Sequence, residues 1–117
     1  MNKEDLKIRT KKFALRIIHL INALPKTKIG NTIGNQLIRS ATSVAANCRA
    51  VCRSKSKADF ISKLGTVIEE ADESAFWMEL IIEAGLMPES QVSDLYKEAD
   101  EILSMVVASI KTARKHK

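Results

Sequence analysis

Apolar side chains recur every three or four residues along almost the whole chain. Leu6, Phe13, Ile17, Leu20 and Leu24 mark a first line, and Ile33, Leu37, Ala41, Val44, Cys48 and Val51 a second. Phe60, Leu64, Val67, Ile68, Ala71, Ala75, Met78 and Ile82 form a third. Val92, Leu95, Ala99, Ile102, Val106 and Ala113 form a fourth. That period places one apolar face on each of a series of α-helices, and no stretch carries the alternating pattern of a strand. The pattern predicts four helices, about 4–24, 30–52, 57–84 and 88–114.

The punctuation between the lines agrees. Pro25 ends the first helix at or before Leu24, because the residue before proline is pushed out of the α region. Ser56, followed three residues on by Asp59, resembles a capping box with Asp in place of Glu. Gly85 suits a helix C-cap, and Pro88 the first turn of the fourth helix. Four amphipathic helices with short connections predict an all-α fold. The expected arrangement is an antiparallel up-and-down four-helix bundle forming one domain over residues 1–117.

Composition narrows the function classes. Aromatic residues are 4% of the chain, with four Gly and two Pro, a mixture that favours long helices. No apolar run is long enough to span a membrane, and the N-terminal residues lack the apolar segment of a signal peptide. A cytoplasmic location is expected, with no membrane partner. Cys48 and Cys52 stand four apart, a spacing that aligns poorly for a disulfide within one helix. A zinc site would need two more Cys or His ligands, and His19 and His116 are the only histidines. The two cysteines read as small apolar residues, and no cofactor is expected.

Charge is unevenly distributed. Residues 1–57 hold 13 Lys and Arg against 2 Asp and Glu, whereas residues 58–117 hold 6 against 12. The basic half could face the acidic half within the fold, or an acidic partner such as RNA or DNA. Lys7, Lys11, Arg49, Arg53, Lys55 and Lys57 are the candidate nucleic-acid contacts. There is no aromatic interleaving for stacking on single strands, and no nucleic-acid-binding motif of known type.

Two stretches are more apolar than a lone bundle requires. From 75 to 82 every residue except Glu79 is apolar, which implies burial on more than one side. The fourth helix carries a second line, Tyr96, Leu103, Val107 and Ile110. Together they predict a homo-oligomer, with Phe76, Trp77, Leu80, Tyr96, Leu103 and Val107 as interface candidates.

The second helix also carries a polar stripe. Gln36, Ser40, Ser43 and Asn47 share one face, Arg39 stands beside them, and the small residues around them allow close helix approach. Polar groups drawn out of water need partners. Glu69 and Glu73 on the third helix are the expected ones, in a network with Gln36, Arg39, Ser43 and Asn47. Catalysis is not expected from these groups. Glu69, Glu70, Glu73 and Glu79 have no His three residues on, as a di-iron bundle would require. Ser40 and Ser43 have no His placed as a base, and there is no Gly-rich phosphate loop.

Gln36-Leu37, Arg39-Ser40, Thr42-Ser43-Val44, Ala46-Asn47, Arg53-Ser54, Asp59-Phe60, Lys63, the run 69–73 and Phe76-Trp77 resemble the signature of the four-helix-bundle family named for proteins encoded within 23S rRNA intervening sequences. The resemblance covers nearly the whole chain. It departs after Asn47, where the family often has an acidic residue and a glycine and this chain has Cys48, Arg49 and Ala50. It implies a bacterial cytoplasmic bundle that often forms a homopentamer. Relatives that serve diversity-generating retroelements bind nucleic acid and a reverse transcriptase, so both are partners the resemblance implies. The resulting expectation is a non-enzymatic oligomeric module that binds nucleic acid or a ribonucleoprotein through basic helices one and two. The alternative is a protein-interaction scaffold whose charge split serves its own assembly.

Overall fold

A computed structural model describes residues 2–116. It contains α1 (Lys3–Asn22), α2 (Lys28–Val51), α3 (Lys57–Glu83) and α4 (Glu89–Lys115). Consecutive helices pack against each other and α4 returns to α1, whereas the backbones of the diagonal pairs stay more than 8 Å apart. This is an up-and-down four-helix bundle, a rod of 50 × 20 × 19 Å.

Each boundary has a local cause. Asn2, Thr27 and Ser56 cap α1, α2 and α3 by accepting from the backbone N–H of Asp5, Gly30 and Asp59 at 2.8, 3.1 and 3.0 Å. The Asp59 carboxylate reaches back to the Lys55 N–H at 3.0 Å, one residue beyond the usual target of a capping box. α1 stops at Asn22, and the segment before Pro25 tightens into i→i−3 bonds from Ala23 to Leu20 and Leu24 to Ile21. Gly85 adopts φ +68, and the Leu86 and Gly85 N–H groups bond to Ile81 and Ile82 in a Schellman motif. Pro88 sits at the N-cap of α4, one position before the expected first turn. In the first turn of α2, a Cβ on Gly30 would lie 2.2 Å from the Pro25 carbonyl oxygen, so only glycine fits there.

Phe13, Ile17, Leu37, Leu64, Met78, Ile81 and Ile102 are the largest wholly buried side chains of a core that runs the length of the rod. The apolar lines of α1 and α2 are buried as the pattern predicts. Along α3 the innermost positions are Ser74 and Ile81, with Ala75 and Ile82 one step to the side. A stretch apolar on every side cannot show which side faces in. The neighbour decides: the Ser74 hydroxyl meets that of Ser40 at 2.9 Å where α2 and α3 approach closely. Along α4, Ile110 takes the last core position expected of Ala113. The buried hydroxyls of Thr10, Ser40 and Ser74 also bond to backbone carbonyls of their own helices. Among the described residues no buried side-chain polar atom lacks a partner.

Candidate nucleic-acid interface

The start of α1, the end of α2, the start of α3 and the late turns of α4 meet at one end of the rod. Lys3, Leu6, Val51, Phe60, Leu64 and Ser109 line one small cleft there. The Lys3 ammonium lies over the Phe60 ring, 5.2 Å from its centre. Arg53 and Lys55 project from the α2–α3 turn, Lys57 begins α3, and Lys111, Arg114 and Lys115 project from the end of α4. All six are exposed. Cations are favoured where a helix ends, because its last carbonyls carry partial negative charge, and α2 and α4 both end here.

Arg49 and Lys7 extend this patch along the α1–α2 flank. The Cys52 thiol lies 3.8 Å from the Lys3 carbonyl, and Thr10 contacts Cys48, so Lys7 sits level with Arg49 and Arg53. Lys7 is paired with Glu4 at 3.4 Å. Among the described residues the ion pairs leave Arg49, Arg53, Lys55 and Lys57 without a carboxylate partner. Lys11 stands a turn further from this end, on the outer side of α1.

The polar stripe of α2 divides into separate groups. Arg39 bonds to Glu73, and to Glu70 at 3.2 Å, while its Nε donates to Gln36 at 3.3 Å. Trp77 Nε1 donates to Glu73 at 3.3 Å. The carboxylate beside Glu73 is therefore Glu70, which stands where Glu69 was expected. Residues 70 and 73 share the edge of α3 that faces α2, whereas Glu69 lines a groove with Gly65, Val107 and Lys111 toward α4. Asn47 bonds to the Ser43 carbonyl and hydroxyl at 2.9 and 3.1 Å, so these two satisfy each other on α2 and do not reach α3. The hydrogen bond from Arg39 holds the Glu73 carboxyl below its ordinary range.

A second ion-pair network joins α1 to α4. Arg9 grips Glu98 with two hydrogen bonds, 2.6 and 2.8 Å, and reaches Glu101 at 2.7 Å. Sequence reading missed it, although the signal was available. Up-and-down topology makes α1 and α4 neighbours, and Glu98 and Glu101 lie three apart on one helix edge.

The apolar candidates also separate. Phe76 is 49% exposed and sits edge-on to Trp77, ring centres 5.1 Å apart. Trp77 and Leu80 are half-buried beside it. Tyr96, Leu103 and Val107 do not form an open face. They are half-buried at the edge of α4, where Tyr96 donates to Glu79 on α3 at 3.1 Å and Val107 lines the groove beside Gly65 and Ile68. Open apolar residues appear instead on α1, where Ile8, Leu15 and Ile18 are 61, 50 and 39% exposed. Their spacing of seven and three was visible in the sequence, but the lysines between them gave the face a polar look.

Among the described residues no group of three or more His, Cys, Asp or Glu is placed to hold a metal ion. No helix among them is long and apolar enough to cross a membrane. Compared with known proteins, residues 4–108 match the family described as 23S rRNA-intervening sequence protein. The chain belongs to this family. A solved structure from Bacteroides thetaiotaomicron VPI-5482, described as a protein of unknown function from the S23 ribosomal protein family, is similar over 95% of this chain and 99% of its own. It shares 32% identity with a TM-score of 0.88. No curated protein matches the chain.

Proposed function

We propose that this member of the 23S rRNA-intervening sequence protein family is a non-enzymatic, oligomeric, cytoplasmic module. It binds nucleic acid, free or within a ribonucleoprotein, through the basic end of its bundle. One observation carries the reading: Arg49, Arg53, Lys55 and Lys57 gather toward one end, and among the described residues none of them forms an ion pair. Phosphates would supply the missing charge and release their counterions on binding. The end of the rod is about 20 Å across, wide enough to meet several phosphates at once. Among RNA–protein partners, a reverse transcriptase is the one that the family resemblance implies.

A filter-binding titration of duplex and single-stranded RNA and DNA against salt tests the proposal. Retention should fall steeply with salt, by a log–log slope of about 0.9 per duplex phosphate contact or about 0.7 per single-strand contact. Replacing Arg53, Lys55 and Lys57 together by Gln should weaken binding and flatten that slope. No retention at low salt, or retention indifferent to salt and to these replacements, refutes it.

The exposed Ile8, Leu15, Ile18 and Phe76 favour a second reading, a scaffold whose surfaces serve assembly alone. In that case the Gln replacements leave no binding to lose, and changes on the outer faces of α1 and α3 alter mass only.

A further inference from the structure

We infer that the basic end of the bundle takes an unpaired nucleobase, with the Phe60 ring as the surface on which the base stacks. This rests on the nucleic-acid part of the proposed function and names single-stranded nucleic acid as the class bound. A groove of about 580 Å³ opens at that end, lined by Phe60 from α3 and by Met105, Ala108, Ser109, Thr112 and Ala113 from α4. Its volume falls within the range of small-ligand sites. Phe60 and Ser109 also border the cleft that contains Lys3 and Leu6, so the half-buried ring stands between two openings. Arg9 of α1 reaches the Met105 sulfur at 3.3 Å and marks the inner end of the groove.

Three cations surround the mouth, one from each of three helices. The Lys3 ammonium of α1 lies 5.2 Å from the ring centre. Lys57 precedes Phe60 by three residues on α3, and Lys115 follows Thr112 by three on α4, so each pair shares a helix face. All three lysines are exposed, and among the described residues none of them forms an ion pair. An open ring beside unpaired cations fits a nucleotide, which carries a flat π-face and a phosphate on one short frame. Every base has such a face, so stacking tolerates sequence. A base inside a duplex is paired and stacked, and reaches no side chain without extrusion. Lys3 covers the ring in the free protein. An exposed cation–π contact is weaker than base stacking, so an incoming base displaces Lys3 and its ammonium turns to a phosphate. The Ser109 hydroxyl donates to the Met105 carbonyl at 3.0 Å and keeps lone pairs to accept from a base amino group. No interleaving of aromatics and cations marks this site in the sequence, because the ring and two of its three lysines come from different helices.

Fluorescence anisotropy tests the site with a short labelled DNA strand, the same strand with abasic positions, and its duplex. At low salt the intact strand should bind at least about fivefold tighter than the abasic one. F60L should weaken the intact strand at least about fivefold and change the duplex by less than about twofold. The log–log salt slope should be the same in F60L as in the wild type, because stacking releases no counterions, whereas K57Q should lower it by about 0.7. A108L, at an exposed position, fills the groove without touching the ring and should reproduce the loss, so it decides the matter if F60L fails to fold by circular dichroism. A strand carrying iodouracil should crosslink on irradiation to the peptide that contains Phe60. Binding of neither strand nor duplex overturns both this inference and the nucleic-acid reading. Strand binding indifferent to abasic positions and to the filled groove overturns the stacking site and leaves phosphate binding standing.

Discussion

Arg9 and Glu98 hold the one seam of the bundle that no turn closes. α1 and α4 are the first and last helices, so their packing depends on side chains alone. The Glu98 side chain is 15% exposed and Arg9 33%, and two hydrogen bonds of 2.6 and 2.8 Å join them. Exposed ion pairs contribute about 0.2–1 kcal/mol, whereas breaking a buried pair costs about 3–5 kcal/mol. This pair lies between those limits. R9A strands a largely buried carboxylate and should cost about 2–3 kcal/mol. E98A should cost about 1–2 kcal/mol, because Arg9 keeps its bond to Glu101. The double mutant should lose less than the sum, giving a coupling of about 1–1.5 kcal/mol.

Urea unfolding at fixed protein concentration measures all three values, since self-association would make the midpoint depend on concentration. Unfolding entropy of about 2.1 cal/mol/K per residue makes 2–3 kcal/mol equivalent to about 8–12 °C in Tm for a chain of this length. The pair Arg39–Glu73 is the internal comparison. Arg39 is half exposed, so R39A and E73A should be nearly additive despite their short contact. Coupling below about 0.3 kcal/mol at Arg9–Glu98, or stronger coupling at Arg39–Glu73, refutes the ranking of the two networks by burial.

Gly30→Ala should cost about 2–3 kcal/mol, because its methyl group meets the Pro25 carbonyl and the backbone must shift; Gly65→Ala, with open space around it, should gain up to about 1 kcal/mol. Equal effects of the two in thermal melts would contradict this assignment of space. The Glu73 and Glu98 carboxyls are held below their ordinary 4.5 by hydrogen bonds from Arg39 and Arg9. Their contribution is complete above pH 4.5 and is lost as pH falls through the lower folded values, so urea midpoints should drop between pH 5 and pH 3, and less so in E98Q. A midpoint unchanged over that interval rules it out. Burial pushes the Cys48 thiol up to about 11, so at pH 8 a disulfide reagent should titrate Cys52 quickly and Cys48 only after unfolding. Two fast thiols in the native protein would show that α2 opens at that level.

The bundle was legible because its signals are local and redundant. The apolar lines of α1 and α2 coincide with the buried residues, and Thr27, Ser56 and Gly85 act where the chain needs caps. What stayed hidden depends on rotation about a helix axis. Glu69 and Glu70 differ by one residue, about 100° around α3, and only packing against α2 shows which meets Arg39. The same uncertainty exchanged Ser74 and Ile81 for Ala75 and Ile82. It also governs the Tyr96, Leu103 and Val107 line, which is half-buried at the edge of α4, with Tyr96 bonded to Glu79 and Val107 lining the groove beside Gly65. Periodicity tells how many faces a helix has, but neighbouring helices decide what each face meets.

The charge split gains meaning from the same geometry. Residues 1–57 carry 13 of the 19 Lys and Arg, and α3 and α4 carry 12 of the 14 Asp and Glu. In an up-and-down bundle the α1–α4 and α2–α3 seams are where a basic and an acidic helix lie side by side, since α1 and α3 sit on a diagonal. Arg9 with Glu98 and Glu101, and Arg39 with Glu70 and Glu73, are those two meetings. Away from these seams, the ion pairs among the described residues lie within one helix, Lys7 with Glu4 and Lys63 with Asp59. Lys11 and Lys12 face outward on α1, Asp72 is exposed on α3, Glu69 borders the α3–α4 groove beside Lys111, and Arg49, Arg53, Lys55 and Lys57 lie toward the end. A fold that needed charge only for its own stability would place it at the seams. The residues left over have three separate locations, and the proposed function gives a partner to the end alone: phosphates for Arg49, Arg53, Lys55 and Lys57.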